Sequence, residues 1–399
     1  MTYMFNYGNL QQDENLKLYL YAVARKKTTF QIEYADGTLS QAIDVPAGGR
    51  SQIFTVDQSK AYITNPDQVM SKGLHVRSKD PISLYALNQN AEAGSYDATN
   101  ILPSNTLGRE YVIQTYSTDG VTTEFALLST HYNTRVNIEY FEKHVQTGQV
   151  TRNTISLTLH AGQTYLHRSS GIEYSLTGTT VCTSHPIAIF CGGQHADIPR
   201  GSSNKNHIYS QLYPATMWGK HFVVQNVQKH KKDFYRVTAA QNNTQVRLNG
   251  TLVATLNANE TYDGAVVSTN HQNKADYILT SKNALVCFYA TDGILSNDTI
   301  PDPTDPTNPF IKQYEGAPAM APVVPMELGC NDLIFATLNS SGITKHYVNV
   351  VTYTAYKNGM QLDGTNISSQ FADLAGTPYS YAQLSLTDGA HTLDRKSVV

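Results

Sequence analysis

The sequence predicts an all-β chain of tandem Ig-like β-sandwich units, each about 100 residues long, and three observations carry that expectation. The first is composition. Only 15% of the 399 residues are charged, where ordinary globular chains run nearer a quarter. Thr, Ser, Asn, Gln and 26 Tyr fill the gap, and β-branched and aromatic residues suit a pleated, half-buried surface. The second is self-similarity. SKDPISLYALN at 78–88, SHPIAIFCGG at 184–193 and SKNALVCFYAT at 281–291 each run Ser, short turn, apolar strand. LPSNTLGREYVIQ at 102–114 echoes YPATMWGKHFVVQ at 213–225, matching Pro103 to Pro214, Leu107 to Trp218 and Gly108 to Gly219 at an offset of 111. The third is strand rhythm: seven short β-type segments between Arg109 and Gly192, broken by Asp119-Gly120, Ala161-Gly162 and Ser184-His185-Pro186. A β-propeller is the runner-up, but its blades repeat every ~40–50 residues.

The elements then fall into order. Residues 1–92 form β-unit 1, whose opening TYMFNY at 2–7 reads as a copy of the strand beginning at Arg109. Residues 93–200 form unit 2 and 201–293 unit 3, with Ser78, Ser184 and Ser281 expected in equivalent places. The Pro- and Asp-rich stretch at 294–328 reads as a connector, its Asp298, Asp302 and Asp305 held extended by the prolines. Residues 329–393 begin a fourth unit that lacks at least one strand, so a fragment of a longer chain is expected. DRKSVV at 394–399 reads as a translated library adapter, a sequence artefact that should pack on nothing. Trp218 before Gly219 marks a structural junction, as Gly108 does one unit earlier. A position filled by Leu in one copy and Trp in the next asks for apolar volume.

Charge and motifs narrow the function classes. With 29 basic against 32 acidic residues, no overall basic field for nucleic acid exists. No apolar run reaches the ~20 residues of a membrane span, and the N-terminus lacks a leader pattern. The four cysteines include no C-x-x-C, which disfavours structural zinc. Cys182 and Cys191 flank the Ser184-His185-Pro186 turn, where a disulfide across a hairpin and two small buried residues are the alternative readings. The 13 His include no H-E-x-x-H, and no G-x-S-x-G elbow occurs. His195, Asp197 and His207 share one loop without a metal-site spacing. KHKK at 229–232 reads as a solvated hairpin tip. No catalytic residue, metal ligand or cofactor is expected. Six N-x-S/T sequons occur, at Asn242, Asn249, Asn259, Asn297, Asn339 and Asn366, with Asn249 and Asn366 favoured by nearby turn glycine or strand ends.

ISLYALN at 82–88, DATNILPSNTLGREYVI from Asp97, SHPIAIFCGG from Ser184, HADIP from His195, NHIYSQLYPATMWGKHFVV from Asn206 and DFYRVTAAQNNTQVRLNG from Asp233 together resemble the IgG Fc-binding protein N-terminal domain family. KNGMQLDG at 357–364 and YSYAQLSLTDGAHTL at 379–393 resemble its last strands. The resemblance implies a large extracellular protein of mucus or cell surface and its bacterial relatives. It implies a non-catalytic adhesion or matrix module with a protein or glycan partner, immunoglobulin Fc being suggested only by the family's name. A carbohydrate-active enzyme or its accessory domain is the alternative, and it would need two carboxylates facing each other in one groove. The resemblance implies a Cys pair at the places where this chain has His195 and Lys205, so the loop is expected without that bridge.

Overall fold

The computed structural model describes residues 1, 16–90, 94–117, 121–202, 204–268, 272–291, 294–301, 310–314, 316–338, 343 and 345–395. It is all-β, with every strand pair antiparallel. The first unit contains β1 (Leu16–Ala24), β2 (Thr28–Tyr34), β3 (Ile43–Val45), β4 (Gly49–Arg50), β5 (Phe54–Thr55), β6 (Val69–Met70), β7 (Leu74–Ser78), β8 (Ser83–Asn90) and β9 (Ser95–Ile101). β1 zips to β8 from Leu16↔Asn90 to Val23↔Ser83, and β9 lies beyond β8. β2 runs between β3 and β7 in a second sheet. Side chains two apart share a face, so Leu18 and Leu20 of one sheet meet Phe30 and Ile32 of the other in one buried core. Residues 2–7, the expected extra strand, lie outside the described residues.

The second unit contains β10 (Gly108–Val112), β11 (Thr123–Ser129), β12 (Thr134–His144), β13 (Val150–Leu159), β14 (Thr164–Arg168), β15 (Tyr174–Ser175), β16 (Thr180–Asp197) and β17 (Lys205–Gln211). Strand β16, 18 residues long, is the spine of one sheet and pairs along two arms. Its first arm pairs with β10 and β12, and its second with β11 and β17. The changeover falls at Ser184-His185-Pro186, where proline has no N–H for a ladder and the register against β10 jumps from Glu110↔Cys182 to Gly108↔Ile187. A long strand bent at such a point lets its sheet turn a corner and fold over on itself.

The third unit repeats this plan with β18 (Gly219–Gln225), β19 (Lys232–Ala239), β20 (Thr244–Leu248), β21 (Thr251–Leu256), β22 (Thr261–Val267) and the long strand β23 (Ala275–Ala290). Ser184 and Ser281 sit at matching bends, each hydroxyl accepting a backbone N–H (from Arg135 and Gln245) at 2.9 Å. At the corresponding bend of unit one, Ser78 instead donates to the Thr29 carbonyl at 3.1 Å. The stretch expected as a connector is itself strand: β24 (Ile294–Pro301) and β25 (Phe310–Tyr314) form a hairpin, and β26 (Ala319–Pro322) joins β23 from Ala290↔Ala319 to Cys287↔Pro322. Asp302 and Asp305 lie outside the described residues.

The fourth unit holds β27 (Asp332–Ala336), β28 (His346–Tyr353), β29 (Met360–Leu362), β30 (Thr365–Asn366), β31 (Ala372–Asp373), β32 (Tyr379–Leu386) and β33 (Ala390–Arg395). β33 pairs with β27 and β29 as the first arm of β16 pairs with β10 and β12. The expectation that the last six residues pack on nothing fails for the first two. Asp394 opposes Asp332 and Gln361, while Arg395 opposes Met360 and holds its guanidinium 3.7 Å from the Tyr356 ring centroid. A backbone ladder needs no side-chain pattern, so DRKSVV gave no sign of it. The unit leans on unit one through the Arg50–Asp388 ion pair, 2.5 Å, and on unit three through Gln225 Nε2 donating to the Ala382 carbonyl, 3.1 Å.

By strand pairing β9, β17 and β26 lie with units one, two and three, each beyond the expected limits at 92, 200 and 293, and the three units close around a common seam made by these last strands. Along β9, Ser95, Asp97 and Thr99 accept backbone N–H groups of His207, Tyr209 and Gln211 on β17, at 2.9, 2.9 and 3.0 Å. Asp97 also takes the N–H of Ala98 and that of Met320 on β26. Asn206 completes the join, accepting from Tyr96 N–H at 2.7 Å and donating to the Pro318 carbonyl at 2.8 Å. The junctions interlock as well. Prolines 103, 214 and 325, spaced by 111 residues, each precede a one-turn 3-10 helix. A Cβ on Gly108 would lie 2.3 Å from Pro214 Cβ, and one on Gly219 would lie 2.4 Å from Pro325 Cβ. Neither glycine has a positive φ: close approach of the next junction, not a bend, excludes a side chain at both.

Candidate binding cleft between the second and third units

A cleft of about 1320 Å³ lies between units two and three. One wall is the outward face of β12 and β13, where Glu139, Phe141 and Lys143 oppose Thr154, Arg152 and Val150 across the ladder. β13 is exposed along most of its length and keeps its polar side chains in solvent. The other wall comes from β19, β22 and the turn carrying Ala258, Asn259 and Glu260. Tyr116 and Tyr289 meet at the seam with ring centroids 5.3 Å apart.

Arg236 straps the two units together at the cleft floor. Its guanidinium forks onto Asp263 (Nε to Oδ1 2.6 Å, Nη2 to Oδ2 3.1 Å). Its remaining edge crosses to unit two, Nη1 donating to the Thr115 carbonyl at 2.7 Å and to Thr177 Oγ1 at 2.9 Å. The plane also lies 5.6 Å from the Tyr289 ring centroid. The acids of the cleft are engaged: Asp263 by this fork, Glu260 by the Asn257 N–H at 2.7 Å, and Glu139 by the Thr180 hydroxyl at 3.4 Å. Phe141 is capped by Arg152, its guanidinium carbon 4.8 Å from the ring centroid. Beside the basic Lys143, Arg152 and Arg200, the exposed Asn153 and Thr154 offer uncharged donors and acceptors to a ligand.

Other chemistry-bearing side chains are spent on the fold. Burial pushes the Asp97 carboxyl up to about 8 against its backbone donors, and burial pulls His207 down to about 3. His207 Nδ1 donates to the Gly193 carbonyl at 3.0 Å, which leaves Nε2 facing the Asn88 amide at 3.3 Å. The KHKK turn is not wholly solvated: His230 is buried, with Nδ1 2.7 Å from Asp233 Oδ1. Asp233 in turn accepts the N–H of Val227 and of Thr291. His167 forms a close dyad with Asp67, Nδ1 to Oδ1 2.6 Å, but its ring is packed edge-on against Tyr140 and tilted on Phe125. Among the described residues no group of three or more His, Cys, Asp or Glu could hold a metal ion.

The residues singled out by sequence take these places. Cys182 and Cys191 are both free and lie on opposite arms of β16: Cys182 faces Glu110 and Asn137, Cys191 faces Phe125 and Ser210. They share one strand instead of facing across a hairpin, and the bridge reading gives way to the other for Cys191, which is fully buried. Cys182 is exposed. The ring of His195 bonds the Lys205 backbone beside the pairs Ala196↔Asn206 and Asp197↔Lys205, so the hairpin closes without a staple. Trp218 is 6% exposed, with Nε1 donating to the Tyr213 carbonyl at 3.1 Å. Asn242 accepts the Ala258 N–H, which sets two sequons side by side at one end of unit three. The side chains of Asn297 and Asn339 lie outside the described residues. Arg236, Asp97 and the Asp67–His167 dyad were not visible in sequence, because each partner sits tens of residues away with no motif to announce it.

Among the described residues no helix is long and apolar enough to cross a membrane. A solved anti-sigma factor domain-containing protein aligns with 62% of this chain and 84% of its own at 9% identity, but its TM-score of 0.15 carries no argument. The human IgGFc-binding protein is 23% identical over 340 residues, 82% of this chain. The match covers 6% of that relative's length. The model of the IgGFc binding protein family matches residues 97–399, spanning the seam, the cleft and the fourth unit, and the chain belongs to that family.

Proposed function

We propose that this chain is a non-catalytic extracellular module that recognises another protein, with a glycan as the second class of partner. One observation carries the reading: the side chains fit for acid–base work (Asp97, His207, His230, Asp233) are consumed in joining strands and units, while the concave surface offers uncharged hydrogen-bonding groups and aromatic edges. Such a surface suits recognition. Family membership supports a protein partner and a place outside the cell. The name of the human relative makes immunoglobulin Fc the first partner to try.

The test is biolayer interferometry of the chain against immobilised Fc and a mucin-type glycoprotein, each before and after enzymatic deglycosylation. Binding that survives deglycosylation supports a protein partner. Binding lost on deglycosylation transfers the function to glycan recognition. Release of reducing ends from the glycoprotein would overturn the non-catalytic reading.

A further inference from the structure

Three of the six sequons differ in how their amide nitrogens are used. Asn249 donates Nδ2 to Asp276 Oδ1 at 2.8 Å, and Asn366 donates Nδ2 to the Asn358 carbonyl at 3.2 Å. The side chain of Asn259 makes no hydrogen bond among the described residues. It sits at φ 67° in the turn between β21 and β22, a turn held by Asn257 N–H on Glu260 Oε2 at 2.7 Å and Asn259 N–H on the Ala239 carbonyl at 2.9 Å. That turn is part of the cleft wall.

We propose that Asn259 carries an N-linked glycan whose first sugars occupy the cleft between units two and three. The proposal rests on the extracellular reading, since the modification is made in the secretory pathway. In the transfer, Asn259 Nδ2 bonds to the anomeric carbon of a lipid-linked diphospho-oligosaccharide. The bond from that carbon to the diphosphate oxygen breaks, the lipid diphosphate leaves, and the amide loses one proton. Thr261 completes the acceptor sequence.

The cleft suits this occupant on three counts. Its 1320 Å³ exceeds the roughly 300–1,000 Å³ of a small-molecule site, so several sugar rings fit. Its lining includes Asn153 and Thr154, polar side chains exposed on β13. Sugar hydroxyls both donate and accept, so they pair with either. The attachment point is a rigid turn on the wall itself, so the chain's own glycan is delivered without an association step.

The experiment is secretion of the chain from mammalian cells behind a supplied leader, alongside Asn259→Gln and Thr261→Ala, which remove the sequon from opposite ends. Glycopeptide mass spectrometry reads occupancy, on secreted and retained pools alike. Hydrogen exchange reads the cleft. The expected result is occupancy at Asn259, with exchange across Val150–Thr154 and Ser175–Thr180 at least fivefold slower than in either variant, and β32 unchanged. A bare Asn259, or an occupied one without that slowing, overturns the proposal. Retention of all three chains inside the cell tells instead against the extracellular reading, while occupancy still decides this one.

Discussion

Trp218 and Asp97 show how differently two buried residues hold the same molecule. Trp218 fills the position that Leu107 fills one unit earlier, and its ring joins the core of unit two while its one polar atom is satisfied. Trp218→Ala should cost about 3–5 kcal/mol through the cavity it leaves, read as a lower urea midpoint. A variant as stable as the parent would mean the ring packs on little. Asp97 acts through its proton. With its folded value raised to about 8 from an ordinary 3.8, the folded chain holds a proton that the unfolded chain has lost. Stability from this group is therefore full below about pH 4 and is lost as pH climbs to 8. His207, lowered to about 3 from 6.5, acts in the opposite sense and loses stability as pH falls from 6.5 to 3. The two offset each other between pH 4 and 6.5, and the Met1 amino group, pulled by burial to about 5 from 8, opposes Asp97 from pH 5 to 8. The part due to Asp97 is therefore the difference between parent and Asp97→Asn: from pH 6.5 to 8 the urea midpoint of the parent should fall relative to that of the variant, which is destabilised overall by its lost acceptor.

Among the elements, the junctions are the sharpest test of the repeat. Gly108→Ala should cost about 1–3 kcal/mol by forcing Pro214 aside. Because the clash is between two named atoms, Pro214→Gly should make the double variant less damaged than the sum of the two single changes. Additive losses would mean that the contact is not what fixes the glycine. Deleting Asp394–Val399 removes the ladder partners of Asp332, Met360 and Gln361. A melting temperature lowered by several degrees is expected, and no change would show that β33 does not need its end. Much of this was legible in the sequence where backbone geometry restricts residue choice: Ser at the bend, Pro before a turn, Gly under a neighbour's ring. The third junction was not, because VPMELGC carries its glycine one place early, at Gly329 instead of 330. Nor was the Ser95-Asp97-Thr99 join, since three small polar residues at alternate positions read as the solvent side of any strand. The cleft had no local signal at all: its walls are strands roughly a hundred residues apart, brought together by the packing of whole units.

At the scale of the whole molecule, β9, β17 and β26 make the first three units one body. Replacing Ser95, Asp97 and Thr99 together by Ala strips the acceptors from three buried N–H groups on β17. Each orphaned donor costs about 1–3 kcal/mol. Calorimetry should then resolve unit one melting apart from the rest, where the parent melts as one. Retention of a single transition would place the cohesion elsewhere, at Asn206 and the junction prolines. The same join changes what a break in the covalent chain means. A protease that cuts between Leu102 and Leu107 severs the peptide connection of unit one to unit two, yet leaves β9 bonded to β17 and to Met320 of unit three. The fragments should travel together on native gel filtration and part only in denaturant. A chain of this kind can be nicked in a protease-rich surrounding and still present an unbroken surface.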